Sequence, residues 1–143
     1  MPERRHGTLG RLLVIMMLVP VPPGAVAQGA DGRGIEGVIG MQFDAFRSKD
    51  AAKAFTYASP MIQSMFGSPE DFGRMVQGGY PMIWDPSGVE YRGLRVENGL
   101  TLQRVRVRDA SGKDFMFDYE MLKGPAGWRI NGVYPVRDPG AGV

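Results

Sequence analysis

The sequence predicts an α+β fold in which N-terminal helices pack on a curved antiparallel sheet of about four strands. Three observations carry that prediction. Apolar residues between Ile35 and Gln77 recur at three- and four-residue spacings, the period of a helix face. From Val89 to Val136 they recur at every second residue, the period of a strand. The second half is also punctuated by "DPSG", Asn98-Gly99, "DASGKD" and "KGPAG", which cut it into strand-sized pieces. Helices first and strands afterwards segregate into two layers, and the sheet must lay its apolar face on the helices.

The chain opens on a segment apart. Arg4, Arg5 and Arg11 surround the start of a short apolar run, Leu12 to Val19, which Pro20, Pro22 and Pro23 close. Ala25 and Ala27 then supply the small residues that a signal peptidase requires. A membrane-spanning helix needs about 20 apolar residues, and the prolines stop this run well short of that. Residues 1–27 are therefore expected to be a cleavable signal peptide, with the remainder periplasmic or secreted and without a membrane span after processing. Without cysteine there is no lipoprotein anchor.

Removal of the leader changes which chemistries are open. The whole chain has a formal charge of +2, but the leader takes away three arginines and one glutamate, leaving basic and acidic side chains in equal number. A neutral domain gives no electrostatic ground for nucleic-acid binding. The only histidine, His6, leaves as well. A domain lacking both histidine and cysteine has no thiol nucleophile, no disulfide, no imidazole base and no thiolate or imidazole ligand for a metal. No cofactor is indicated.

Residues 28–34, "QGADGRG", show no periodicity and read as a flexible lead-in to a single domain over residues 35–137. Ile35, Val38, Ile39, Phe43 and Phe46 then share one helix face, with Arg47 and Lys49 where a helix C-terminus favours positive charge. Asp50 is an N-cap candidate for a helix "AAKAFTYA" with Ala54, Phe55 and Ala58 inward. Ser59-Pro60 and Ser68-Pro69 each pair a capping serine with proline at the first helical position, predicting short helices over Met61–Phe66 and Glu70–Gln77. Gly67 and Gly78-Gly79 are their stops. "YPMIW" reads as extended, and Val89–Glu97 as the first strand. The alternation Leu100, Leu102, Val105, Val107 slips by one near Gln103, which predicts a bulge there. Phe115, Phe117, Tyr119 and Met121 form one row, and Trp128, Ile130, Gly132, Tyr134 and Val136 another. Residues 138–143 read as a disordered tail.

The aromatic and methionine set of "AFTYASPMIQSMFGSPEDFGRMVQGGY" matches helix faces and is expected to be mostly core. Tyr80, Trp84, Tyr119 and Trp128 combine an apolar body with a polar atom and are the candidates to border a ligand pocket. Asp118 and Glu120 lie opposite Phe117 and Tyr119 on their strand and are expected as solvated partners of Arg104, Arg106 and Arg108. Asp44 and Asp85 read as exposed. No acidic residue falls inside an apolar period, so no catalytic residue is assigned.

The stretches "AFRSKDAAKAFTYASPMIQSMFGSPEDFGRMVQGGYPMIW" and "GWRINGVYPV" resemble the domain-of-unknown-function 4864 family, small exported proteins mostly of alphaproteobacteria. The resemblance covers about Ile35 to Val136. It implies a cone of helices against a curved sheet, of nuclear-transport-factor-2 or cystatin type, and an exported location, but no activity. The favoured reading is a non-catalytic module for a small apolar or amphipathic ligand or a partner segment. The alternatives are an isomerase- or hydratase-like enzyme using a carboxylate and tyrosines, and a homodimer formed through the arginine-bearing sheet face.

Overall fold

Side-chain caps and prolines set the helical half. A computed structural model describes residues 23–137, with side chains from residue 31 onward. Five helices, α1 (Pro23–Arg47), α2 (Ala51–Thr56), α3 (Pro60–Phe66), α4 (Pro69–Gly79) and α5 (Pro81–Trp84), precede four strands. The strands β1 (Gly88–Glu97), β2 (Leu100–Arg108), β3 (Asp114–Gly124) and β4 (Gly127–Val136) form one antiparallel meander in chain order. The carboxylate of Asp50 accepts from Lys53 N, Ser59 Oγ from Ile62 N and Ser68 Oγ from Asp71 N, so each predicted cap holds its helix. Such caps contribute about 1 kcal/mol each. Gly67 ends α3 in the left-handed conformation, with φ of 78°.

Besides α2, which stops at Thr56, and α4, which runs through Gly78-Gly79 to a cap at Tyr80, two helical regions depart from expectation. α1 begins at Pro23, so the glycine-rich residues 28–34 are helical rather than a lead-in. One of the glycines serves close approach: a Cβ at Gly34 would come within 3.2 Å of the Trp128 ring. "YPMIW" is the second correction. Pro81 takes the first position of a helical turn, where its missing N–H costs nothing. The Tyr80 carbonyl accepts from Ile83 N and Trp84 N, which closes α5 and buries Ile83. The apolar run of the expected leader and the expected tail lie outside the described residues, as do the side chains of Ala25 and Ala27.

The core lies between the layers. Ile35, Ile39, Phe43 and Phe46 of α1 meet Val105, Val107, Phe117 and Tyr119 of the sheet, and all eight are at most 2% exposed. Phe55, Phe66 and Phe46 pack around Phe72 with ring centroids 5.2, 5.6 and 6.0 Å away.

Sheet irregularities also fall differently from the expected slip at Gln103. β2 alternates without a break, and Gln103 is the buried polar member of its helix-facing row Thr101, Gln103, Val105, Val107. The register shifts on the neighbouring strand, between Tyr91 and Gly93, which leaves Arg92 as the extra residue. Gln103 Nε2 donates to the Gly93 carbonyl at 3.1 Å, satisfying an acceptor beside that bulge. A second shift leaves Asn131 extra in β4, opposite Glu120 and Met121. Beyond it the faces exchange. Val133 and Pro135 pair with Tyr119 and Phe117 on the helix side, and Gly132, Tyr134 and Val136 turn to the outer face, contrary to the predicted row.

Candidate functional site

A cavity of about 230 Å³ opens between the helical layer and the β3–β4 side of the sheet. The sheet contributes Tyr119, Ile130 and Val133, and α1 contributes Gln42 and Phe46. Across from them stand Phe72, Met75 and Val76 of α4, with Ile62, Met65 and Phe66 of α3. Met65 is 66% exposed and marks the opening. Tyr80, between α4 and α5, completes the lining with Ile83. The three- and four-residue spacing of Phe72, Met75 and Val76 puts one face of α4 on the cavity, while Glu70, Asp71 and Arg74 face solvent.

The lining is nearly devoid of polar groups. Among the described residues only Gln42, Tyr80 and Tyr119 carry a polar side chain into the lining, and none that lines it is charged. Gln42 is committed elsewhere, donating through Nε2 to the Ala54 carbonyl at 3.2 Å and so tying α1 to α2. The Tyr119 ring packs 6.0 Å from that of Phe43, and its hydroxyl is fully buried with no hydrogen-bond partner among the described residues. Burial pushes the ionisation of that phenol above its ordinary range. The Tyr80 ring meets Phe117 edge-on at 6.1 Å.

Of the four pocket candidates, the fold brings Tyr80 and Tyr119 together on the cavity. Trp84 stands behind it, 5.8 Å from Phe46, with Lys49 Nζ 5.1 Å over its ring. Trp128 lies at the other end of the sheet under Lys123, where it borders a separate groove with Tyr91 and Leu94. Gln42 and Val133 were not singled out from sequence. Position 42 sits between Ile39, Phe43 and Phe46 on the apolar arc of α1, a signal that marks it as buried. Val133 is hidden by the bulge at Asn131.

A second, shallower basin adjoins the cavity at Tyr80, which lines both. It is bordered by Arg92, Arg104, Arg106, Lys113 and Arg137, with Met82 and Phe115 as apolar members.

The outer sheet face is a lattice of ion pairs. Asp118 accepts two hydrogen bonds from Arg95, at 3.0 and 2.8 Å, and two from Arg104, both at 3.1 Å. Its side chain is only 11% exposed, so it is enclosed rather than solvated as expected. The Arg95 and Arg104 guanidinium groups outweigh the cost of burial and hold its pKa down to about 2. Glu120 pairs with no arginine; it accepts from Asn131 Nδ2 at 2.5 Å and from the Tyr134 hydroxyl at 3.2 Å. Arg108 bonds Asp114 through both carboxylate oxygens, and Glu90 takes Arg92 and Arg106. Asp44 and Asp85 are exposed and pair with Arg47 and Lys49.

No curated protein and no solved structure matches this chain. A family model, "Domain of unknown function (DUF4864)", matches residues 28–143, which takes in α1 from its sixth residue, the other four helices, all four strands and both faces of the cavity. The chain belongs to the DUF4864 family.

Proposed function

We propose that this domain is an exported, non-catalytic binding module that holds a small apolar or amphipathic molecule in the cavity beneath α3 and α4. The observation that carries the reading is the lining itself. A space of about 230 Å³ walled by phenylalanine, methionine and branched aliphatic side chains, with the amide nitrogen of its one carboxamide bonded to the Ala54 carbonyl, gains chiefly by taking up apolar surface. Three methionine and phenylalanine side chains, Met65, Phe66 and Met75, stand near the opening, and thioethers adapt their shape to different guests. A carboxylate-dependent isomerase or hydratase would need an acid against its substrate. The cavity offers two tyrosines and no acid, which favours binding over turnover. Export rests on the leader sequence.

Thermal unfolding in the presence of 1-octanol and toluene tests the reading. A ligand at 100 times its Kd adds about 2.7 kcal/mol, a rise of roughly ten degrees for a domain of this size. The substitution Ile62→Trp, which fills the space from the half-buried face of α3, is expected to abolish the shift while the protein stays folded. Equal shifts in both proteins would place the binding elsewhere and sink the proposal.

A further inference from the structure

Resting on that reading of the cavity, we infer that the ligand is an anionic amphipath, a short uncharged apolar body ending in a single carboxylate- or sulfate-type head. The cavity cannot accept a charge of either sign, because no lining side chain would compensate it. A charged head must therefore stay outside, and what waits there is the basin that begins at Tyr80. Five basic residues border that basin and only one acid, Asp114, does so.

Pairing leaves a positive surplus. Asp114 is held by both nitrogens of the Arg108 fork and is 4.0 Å from Arg106. Arg92 and Arg106 share the single carboxylate of Glu90, and Arg104 shares Asp118 with Arg95. Among the described residues, neither Lys113 nor Arg137 has a carboxylate within ion-pair distance. Lys113 Nζ instead lies 5.0 Å over the Phe115 ring, at the apolar part of the basin. An anionic head leaving the cavity past Tyr80 meets Lys113 and Arg137, which have no ion pair among the described residues, while Arg92, Arg104 and Arg106 add to the positive field from the paired outer face. A cationic head meets only repulsion.

Isothermal titration of the full chain at low ionic strength with octanoate, 1-octanol and octylammonium separates the possibilities, since all three share the same tail. Octanoate is expected to bind about five- to tenfold more tightly than octanol, the effect of two partly exposed charge contacts, and octylammonium more weakly than either. The gap should close in 0.5 M NaCl, a concentration of roughly the order that screens exposed charges within a few ångströms. Lys113→Gln with Arg137→Gln, both exposed positions, should bring octanoate to the level of octanol and leave octanol unchanged. Equal affinities for octanoate and octanol would overturn the anionic head and leave the cavity reading standing. Octanoate binding that survives Ile62→Trp but not the charge variant would show a head-only site and overturn the amphipath. Silence from all three ligands would remove both readings. The salt dependence of the unaltered chain tests the head even if the double variant does not fold.

Discussion

Replacing Tyr119 by phenylalanine should make the protein more stable. The hydroxyl is fully buried and has no partner among the described residues, so folding strips it of water and returns nothing. An unsatisfied buried hydroxyl costs about 1–3 kcal/mol. The ring contributes separately: it packs against Phe43, sits opposite Val133 in register and walls the cavity, and phenylalanine keeps all of that. The oxygen leaves behind a small void, which offsets part of the gain. A net gain of about 1 kcal/mol is expected, which for a domain of this size is a rise in melting temperature of roughly four degrees. Urea unfolding of both proteins by circular dichroism at pH 7 measures it, with an unchanged slope as the sign that the denatured state is the same. A loss of 1 kcal/mol or more in the phenylalanine variant would show that the hydroxyl is satisfied in solution, and the argument from its isolation would fail.

The remaining predictions concern the outer sheet face and the leader. The Asp118 pKa lies at about 2, below the ordinary value of 3.8. A depressed carboxyl stabilises the fold fully above its unfolded pKa, and that contribution fades as pH falls from about 4 to about 2. After a discount for the partly exposed arginines, Asp118→Asn should cost about 1 kcal/mol at pH 7. The difference from the unaltered protein should shrink to a small remainder near pH 2, where the folded carboxyl is half protonated, and vanish by about pH 1; a difference undiminished at that pH would refute the ion-pair account. For the leader, mass spectrometry of the protein exported by its native host should find Gln28 as the first residue. An intact N-terminus would remove the signal-peptide reading.

Much of this fold was legible in the sequence because local rules decide it. Asp50, Ser59 and Ser68 cap as their chemistry requires, and Asn98-Gly99 turns with both residues at positive φ, 51° and 78°. The apolar face of α1 is where the spacing puts it. What sequence periodicity missed was set by neighbours distant in the chain. Gly34 looked like flexibility because the Trp128 side chain that needs the space comes some 94 positions later. Gln103 looked like a slip in its own strand, although the bulge it serves is in β1. Tyr80 and Tyr119 share a cavity and Trp84 and Trp128 do not. Amphipathic character identifies a residue suited to a pocket rim, but only the packing of layers decides which rim exists.

The bulge at Asn131 shows how such a distant contact creates the site. β4 is an edge of the sheet, and its outward groups at Ile130 are taken up by the linker after α2: Ile130 N donates to the Tyr57 carbonyl at 2.9 Å, and Ser59 N donates to the Ile130 carbonyl at 2.8 Å. The Ser59 hydroxyl donates to Asn131 Oδ1 at 2.7 Å while accepting from Ile62 N, so one side chain caps α3 and joins it to the extra residue. Asn131 passes the connection on to Glu120 of β3. This chain of bonds covers an edge that would otherwise invite another strand, and it fixes the start of α3 against β4. α3 therefore stands over the sheet at a set height, and the register shift that Asn131 causes turns Val133 toward the space beneath it. Gly132 already borders that space, and a regular β4 would put Tyr134 there in place of Val133, so that a phenol would enter an apolar cavity. The irregular residue, and not the alternation around it, is what keeps the cavity apolar and open.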